Sequence, residues 1–335
     1  MSNSRQVFFN SDGNGITLLS VAVYSLLTAN ASGKRITVFI AHDRTFAERG
    51  GVERIRAIAG RFPDAKVVFL DYTSVQIACG EIFKPALWAF SLCDKLLPID
   101  VTGNIVYLDI DMLIRKDLGE LFDLDLSTRG FVAAAVNESR REHRRYLVEA
   151  GWPDAAGYSF NNATTVLDLD AFRRERMSDK MIDWYRRNFR TAVNLDQDAQ
   201  NVAYGDRTLR LHPKWNYTDG WLERLLKLNP FAREWRVHPP REILEAILEP
   251  AIIHYIGRKK PTSWNHRPER KVYRRAMSEL GLLENGRLPG ETPARKAVAV
   301  LFDGYHGLLK LYARLLLALI SPKAPTPMRR ALSSC

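Results

Sequence analysis

Cysteines and uninterrupted apolar runs are scarce in this sequence, and each absence excludes a class of protein. The three cysteines, Cys79, Cys93 and Cys335, lack the spacing of a zinc site and leave one unpaired. A sparse, odd set favours a reducing compartment over a disulfide-built secreted fold. The N-terminus shows no charged-then-apolar leader, and no uninterrupted run reaches the roughly 20 apolar residues of a membrane span. We therefore expect a cytoplasmic protein.

Two common nucleotide-binding loops are incomplete. Gly13 and Gly15 follow the first apolar run, but Leu18 stands where the dinucleotide-binding fingerprint has its third glycine. The stretch around Gly33 and Lys34 lacks the upstream glycine of a Walker A loop. A loop before a helix can still receive phosphate or a nucleoside through its free N–H groups.

Acidic residues are scarce only at the C-terminal end. Residues 1–257 carry 33 Lys and Arg against 33 Asp and Glu, whereas residues 258–335 carry 16 against 5. The C-terminal region therefore holds the whole net charge of +11. A neutral body with a basic end indicates a contact with anionic lipid or with nucleic acid, and charge alone does not separate the two.

Short apolar runs alternate with helical patterns along the chain. We predict strands at residues 7–9, 36–40, 67–70, 105–108, 131–136, 164–169 and 252–255, and helices at 16–27, 52–62, 81–97 and 171–189. This alternation predicts an α/β fold with a Rossmann-like, mostly parallel central sheet flanked by helices. Ligands in such sheets bind beyond the carboxyl ends of the strands.

Two carboxylates, Asp109 and Asp111, stand where the strand at 105–108 ends. Side chains two residues apart on a strand point to the same side, so both can face one point. They would repel each other unless a cation lay between them. The pattern Asp-x-Asp alone is weak, because it also occurs at 123–125, 168–170 and 196–198. Only the first copy follows a clearly apolar strand, and the alternative there is a solvated strand end.

His254 lies near the end of the predicted strand at 252–255. A histidine after two isoleucines is more often a core residue than a ligand, unless the fold returns it to the aspartate pair. Two carboxylates and one imidazole suit Mn²⁺, with Mg²⁺ as the second choice, better than Ca²⁺ or Zn²⁺. Open positions on such an ion would take a diphosphate.

The C-terminal region divides from the body at about residue 285. Residues 286–296 are rich in Pro and Gly and look like a linker, and residues 297–320 form an apolar helical pattern. Its polar residues form one stripe, at Asp303, His306, Lys310 and Arg314. We expect a catalytic domain at 1–285, and at 286–335 a linker with an amphipathic, basic helix in a membrane interface, followed by Lys323, Arg329 and Arg330. The alternative is a helix packed back on the domain.

Six ordered segments of this chain together resemble glycosyltransferase family 8, the retaining GT-A group that contains bacterial lipopolysaccharide galactosyl- and glucosyltransferases and glycogenin. They span about residues 6–264 and are Phe9 to Asp12, Phe83-Lys84 with Trp88, Val106 to Asp111, Phe160-Asn161, Asp196 to Asn201, and His254 to Gly257 with Lys260-Pro261. Each is weak alone, but six in the family's order form a specific signal.

The resemblance implies a GT-A fold and a set of site residues. The metal, Mn²⁺ or Mg²⁺, would be held by Asp109, Asp111 and His254. The UDP-sugar donor would contact Asn10, Asp12, Lys84, Asp109, Gly257 and Lys260, and the catalytic residues around its sugar would be Asn161, Asp196 and Gln197. Retention of configuration is implied, and we expect same-face attack assisted by UDP, with the Gln197 carbonyl stabilising the oxocarbenium.

The expected reaction moves a hexose to a sugar hydroxyl of a lipid-linked or lipopolysaccharide-type acceptor. The enzyme would associate with the inner face of the cell membrane, and we expect no nucleic-acid partner. Gly15, Asn137 and Asn162 depart from the family's pattern and leave the donor sugar open. Two alternatives are a metal-dependent phosphohydrolase using the same aspartates and a nucleic-acid-binding protein using the basic C-terminal region.

Overall fold

The computed structural model describes residues 5–30, 33–72, 88–138, 147–148, 159–192, 194–218, 221–222, 225, 237–257, 260–264 and 269–320. The chain forms two compact units. The first comprises Met1–Ile110 and Lys116–Leu211, and the second comprises Asp111–Arg115 and His212–Cys335. Lys84, predicted to contact the donor, and the basic tail beyond residue 320 lie outside the described residues.

The strands and helices are numbered here in chain order. The strands in the described residues are β1 Arg5–Ser11, β2 Ile36–His42, β3 Ala65–Asp71, β4 Asn104–Leu108, β5 Met112–Ile114, β6 Ala133–Asn137, β7 Phe160–Asp168, β8 Thr208–Arg210, β9 Tyr217–Thr218 and β10 Ile252–His254. The helices there are α1 Ile16–Ala29, α2 Arg44–Glu48, α3 Gly51–Ala59, α4 Cys93–Leu96, α5 Gly119–Phe122, α6 Leu169–Arg174, α7 Met177–Asn188, α8 Leu195–Tyr204, α9 Pro240–Leu248, α10 Arg270–Glu279 and α11 Pro293–Ile320.

The first unit is built on a seven-stranded sheet in the order β3-β2-β1-β4-β7-β6-β8. Strand β7 is antiparallel to both its neighbours, and the other paired strands are parallel. The predicted α/β fold with a mostly parallel sheet is confirmed. Val7, Phe8 and Phe9 are fully buried, as expected for a central strand covered on both faces.

The register of β1 and β4 brings two predicted site residues to the same edge of this sheet. Val7 pairs with Val106, and both strands run in the same direction. Asp12 follows the end of β1 and Asp109 follows the end of β4, so both carboxylates lie at the carboxyl edge. This edge is where parallel sheets bind ligands.

Strand β7 starts earlier than predicted and is irregular near its beginning. Its pairing with β6 shifts between Ala135, which pairs with Thr165, and Val136, which pairs with Asn161. Residues 162–164 lie between these two pairs and are not in register with β6. On the other edge of β7, Thr164 pairs with Leu108 of β4. Asn161 is the second residue of β7 and lies beside this irregularity, which lets a strand re-aim its side chains.

Two predicted helices are shorter in the structure. The pattern at 171–189 forms α6 and α7, because Arg176 between them adopts a left-handed backbone with a φ of 54°. Of the predicted helix at 81–97, the structure describes residues from Trp88 onward, and α4 is its regular part. Trp88, Phe90 and Leu92 are all buried, so this segment packs as a core turn rather than as an amphipathic helix.

The second unit contains a three-stranded sheet in the order β5-β10-β9 together with helices α9, α10 and α11. Strand β10 is antiparallel to β5 and parallel to β9. Helix α11 packs on α9 within this unit. No helix among the described residues is long and apolar enough to cross a membrane.

Candidate active site

Asp109 is fixed by the strands of the first unit. Its backbone N–H donates a hydrogen bond of 2.9 Å to the carbonyl oxygen of Ala163 on β7. Its Oδ1 accepts a hydrogen bond from the hydroxyl of Tyr107 on β4. The carboxylate is half-buried and held at the strand end by two neighbouring strands.

Asp111 and His254 meet inside the second unit because β5 and β10 are paired. The backbone N–H of Tyr255 donates to the carbonyl of Asp111, and Nε2 of His254 lies 3.4 Å from Oδ1 of Asp111. Both side chains are buried. The Nδ1 of His254 bonds Oδ1 of the buried Asn216 at 3.0 Å, and because that oxygen only accepts, Nδ1 carries the proton. This bond orients the ring and leaves Nε2 as the atom that can bind a metal.

Asp109, Asp111 and His254 can together hold a metal ion. The two aspartates are held close by the chain itself, since one residue separates them. One ligand atom from each of the three side chains lies within 4.8 Å of the other two. Two oxygen ligands and one imidazole fit Mn²⁺ and admit Mg²⁺. The predicted return of His254 to the aspartate pair is thus seen in the structure.

Lys260 adds a cation to the same group. Its ammonium donates hydrogen bonds to Oδ2 of Asp111 and, at 3.2 Å, to the carbonyl of Tyr255. Burial alone would raise the pKa of Asp111, but His254 and then Lys260 outweigh burial and hold that pKa well below its usual range. Asp111 is therefore ionised at neutral pH and ready to bind a cation.

Gly257 lies between His254 and Lys260 with a φ of 93°. A residue with a side chain rarely adopts this backbone conformation, so the turn favours glycine.

Asn161, Gln197 and Glu138 form a hydrogen-bonded cluster in the first unit. The amide of Asn161 donates to Oε2 of Glu138 at 3.2 Å and to Oε1 of Gln197 at 3.3 Å. The amide of Gln197 donates to the same Oε2 of Glu138 at 3.4 Å. These contacts define which end of the Gln197 amide carries its oxygen. The sequence therefore named two members of this cluster and missed the third.

Asp196 precedes Gln197 at the start of α8 and interacts electrostatically with Asp109. Its Oδ2 accepts a hydrogen bond of 2.9 Å from the amide of Asn162. Burial, and then the negative charge of Asp109, raise the pKa of Asp196 to about 7. A carboxyl group with this pKa gains and loses its proton near neutrality, which is typical of functional sites.

The loop after β1 is held by hydrogen bonds to the side chain of Asp12. Oδ1 of Asp12 accepts hydrogen bonds from the backbone N–H groups of Asn14 at 2.9 Å and Gly15 at 3.1 Å. A Cβ atom on Gly15 would lie 2.3 Å from Oγ of Ser11 and 2.6 Å from Cδ1 of Ile110, so a larger residue here would require these two side chains to move. Asn10 is half-buried at the end of the same strand.

Three residues of the site lay outside the sequence prediction. Glu138 orients the two amides, Asn216 orients His254, and Tyr107 contacts Asp109. Glu138 follows an apolar strand, as Asp109 does, and that signal was available. Asn216 had none, because only the pairing of β9 with β10 brings it to His254.

A comparison with known protein families identifies the family to which this chain belongs. A family model described as glycosyl transferase family 8 matches residues 92–266, which is just over half of the chain. The chain belongs to glycosyl transferase family 8. The matched region contains Asp109, Asp111, His254 and Lys260, together with the cluster around Gln197.

Several curated relatives of this family 8 chain cover much of it. The chain is 28% identical over 205 residues to General stress protein A of Bacillus subtilis strain 168, covering 60% of this chain and 68% of that protein. It is 26% identical over 204 residues to lipopolysaccharide 1,2-glucosyltransferase of Escherichia coli K12, covering 60% and 56%. It is 23% identical over 283 residues to lipopolysaccharide 1,3-galactosyltransferase of Salmonella typhimurium, covering 81% and 77%.

Solved structures show the same fold. The apo structure of the WbbM bifunctional glycosyltransferase matches 83% of this chain and 50% of its own with a TM-score of 0.69 and 18% identity. The galactosyltransferase LgtC, in complex with donor and acceptor sugar analogues, matches 83% of this chain and 97% of its own with a TM-score of 0.63 and 18% identity. The predicted GT-A fold of this family 8 chain is confirmed.

Proposed function

We propose that this glycosyltransferase moves a hexose from a UDP-sugar to a sugar hydroxyl, with Mn²⁺ as its metal and Mg²⁺ as a substitute. The grouping of Asp109, Asp111 and His254 carries the proposal. Two carboxylates and an oriented imidazole match the ligands of such an ion. When bound, the ion supplies positive charge that stabilises a leaving diphosphate. A two-metal phosphohydrolase would need a second group of acidic ligands, and the described part of the chain offers only this one group.

We assign the diphosphate to Lys260 and Gly257, with Lys84 as a further predicted contact. Lys260 already lies beside Asp111 as a cation, and ammonium groups bind phosphate oxygens strongly. The left-handed backbone of Gly257 would present its N–H to an approaching oxygen. On the nucleoside side, Asn10 and Asp12 would hold uridine at the carboxyl end of β1.

We assign the sugar to Asn161, Asp196 and Gln197, with Glu138 as an added orienting residue. The fixed amide of Gln197 directs its oxygen toward the amide of Asn161, so its dipole is already set before substrate binds. A carbonyl dipole held in place can stabilise positive charge that develops on a sugar ring. Because an amide is a poor nucleophile, the proposal is same-face attack with retention, in which the UDP leaving group assists deprotonation of the acceptor.

We further propose the acceptor class and the place of reaction. Relatives named as lipopolysaccharide glucosyl- and galactosyltransferases support a lipid-linked or lipopolysaccharide-type glycan as acceptor. The proposed division is a catalytic domain at 1–285 and a basic segment at 286–335 that associates with the cytoplasmic face of the membrane. The charge of residues 258–335, 16 basic against 5 acidic, supports an anionic partner, and the relatives named for lipopolysaccharide favour lipid over nucleic acid.

The test is UDP release from a panel of UDP-sugars, with Mn²⁺ or with a chelator, by wild type, Asp111→Asn and Asp123→Asn. Asp123 belongs to another Asp-x-Asp copy and is exposed, so it is a matched control. We expect metal-dependent release from one sugar, a loss of at least about 100-fold in Asp111→Asn, and wild-type release in Asp123→Asn. Release from no sugar, or equal release by both variants, would end the proposal.

A further inference from the structure

The exposed apolar side chains of this protein are concentrated on the C-terminal helix α11. Nine large apolar side chains are exposed in the described residues, and seven of them lie on this one helix. The seven are Val298, Val300, Leu301, Tyr305, Leu308, Leu311 and Leu315. Scattered apolar residues on a surface need no explanation, but a contiguous set on one element marks an interaction surface.

Three leucines form the centre of this surface, which we name the leucine face. Leu301, Leu308 and Leu315 are 74%, 68% and 57% exposed. They follow each other at intervals of seven residues, or about two helical turns, so they form one line about 21 Å long. Tyr305 and Leu311 flank this line on the same side of the helix.

The opposite side of α11 is anchored to the second unit. Ala299, Leu309 and Ala313 are buried, and the helix packs on α9. Lys310 forms an ion pair with the buried Glu269 on that same side. The helix could not turn its leucines inward without breaking these contacts.

The polar stripe expected from the sequence is present, but most of it faces protein. Asp303 pairs with Arg270 at 2.7 Å and with Lys271 at 3.1 Å, and His306 is buried. Arg314 stays exposed. The polar stripe therefore attaches α11 to its unit, and the apolar side of the helix is exposed. This arrangement reverses the usual one, in which the apolar side of a surface helix faces the core.

The charges near the leucine face point to an anionic partner. Asp303 is the only acidic residue of α11, and it is engaged with Arg270 and Lys271. Lys296 and Arg314 are exposed and lie about five turns apart on one border of the face. The chain beyond α11 adds Lys323, Arg329 and Arg330 and no acidic residue. An isologous contact with a second copy would bring these like charges together, whereas anionic headgroups would complement them.

We propose that the leucine face of α11 is the surface that docks on an anionic lipid bilayer, with the helix parallel to the membrane plane. The leucines enter the boundary between headgroups and acyl chains, and Lys296 and Arg314 contact the headgroup phosphates. This inference rests on the membrane association proposed above and names the surface responsible. It does not depend on which sugar is transferred.

The test is sedimentation of the full-length protein with vesicles of phosphatidylcholine alone or with 30% phosphatidylglycerol. Three proteins are compared, namely wild type, the triple variant Leu301→Ser/Leu308→Ser/Leu315→Ser, and Ile99→Ser. Ile99 is 84% exposed in the turn after α4 and controls for the loss of one exposed apolar side chain. Thermal unfolding and UDP release without vesicles are measured in parallel, because the substituted side chains are exposed and both should stay unchanged.

We expect wild type and Ile99→Ser to bind the anionic vesicles, and the triple variant to bind at least about 100-fold more weakly, since each leucine contributes roughly tenfold. Equal vesicle binding by wild type and the triple variant would overturn the proposal. So would a wild type that ignores vesicles but forms a dimer, by light scattering, that the triple variant cannot form. A wild type that binds the vesicles but releases no UDP would refute the proposed transfer reaction, and the proposal for the leucine face would remain supported.

Discussion

The ammonium of Lys260 donates a hydrogen bond to Oδ2 of Asp111, one of the three carboxylate and imidazole groups that can hold a metal. A cation of the protein therefore lies on the same carboxylate that we assign to the metal. In this position Lys260 competes with a metal ion for Asp111, and it lies close enough to contact a diphosphate bound to that ion. Lys260 should thus have opposite effects on the two ligands.

Replacing Lys260 by Gln should tighten Mn²⁺ binding in the absence of UDP and weaken UDP binding in its presence. Removal of the nearby positive charge should raise the Mn²⁺ affinity about three- to tenfold, because the side chain is partly exposed and the interaction is screened. UDP should bind to the Mn²⁺ form about tenfold more weakly for lack of a charge-assisted hydrogen bond. Calorimetric titration measures both affinities, with Lys66→Gln as the control, because Lys66 on β3 is exposed. Weaker Mn²⁺ binding in Lys260→Gln would contradict this account.

Asn216→Ala should lower the affinity for Mn²⁺ without removing a metal ligand. Asn216 holds Nδ1 of His254 and thereby orients Nε2, and loss of such an orienting partner typically costs 10- to 100-fold in metal affinity. His254→Ala should cost more, because it removes the ligand itself. Titration of Mn²⁺ into both variants gives the order, and an Asn216→Ala protein with wild-type affinity would show that the hydrogen bond is only structural.

Glu138→Gln should lower kcat while leaving the KM for the donor nearly unchanged. The Glu138 carboxylate accepts from the amides of Asn161 and Gln197, and an amide in its place could present a donor to them instead. The Gln197 oxygen would lose its fixed direction, and we expect a fall of about tenfold to 100-fold in kcat. Glu138→Asp should recover part of the loss, and exposed Glu53→Gln should match wild type. A rise in KM at constant kcat would instead make Glu138 a binding residue.

Asp196 should make the metal-free protein less stable as the pH rises through the range between about 4 and 7. Its pKa of about 7 in the folded protein exceeds the ordinary value of 3.8, so the folded state binds more protons in this window. The free energy of unfolding should therefore fall with pH by up to roughly 1.4 kcal/mol per pH unit, and stay level above pH 7. Urea unfolding of wild type and Asp196→Asn at pH 5 to 8 isolates this contribution. Parallel pH curves for the two proteins would contradict the raised pKa.

Local patterns predicted the sheet well because each strand carries its own signal. The run at 105–108 is apolar and β-branched, and it forms β4 with the aspartates at its end. From the sequence, His254 is a candidate ligand only on the condition that the fold returns it to the aspartate pair, and the pairing of β10 with β5 brings it to Asp111.

The failures of the sequence prediction come from interactions that no short pattern contains. The predicted helix at 171–189 is interrupted at Arg176, which has a left-handed backbone. Glycine is the usual sequence signal for this conformation, and the position holds an arginine instead. Glu138 follows β6 and contacts Gln197 on α8, 59 residues further along the chain. The orientation of α11 depends on Glu269 and Arg270, which lie far from it in the sequence. Periodicity gives a helix its two faces, but only the tertiary partners decide which face is covered.

The most direct test of the central claim is a calorimetric titration of UDP into the wild-type protein and into Asp111→Asn, each with Mn²⁺ and with chelator. The account predicts that wild type binds UDP at least about tenfold more tightly with Mn²⁺ than with chelator, and that Asp111→Asn shows no such difference. Equal binding of UDP by wild type with and without Mn²⁺ would contradict the claim that Asp109, Asp111 and His254 hold a metal for the diphosphate.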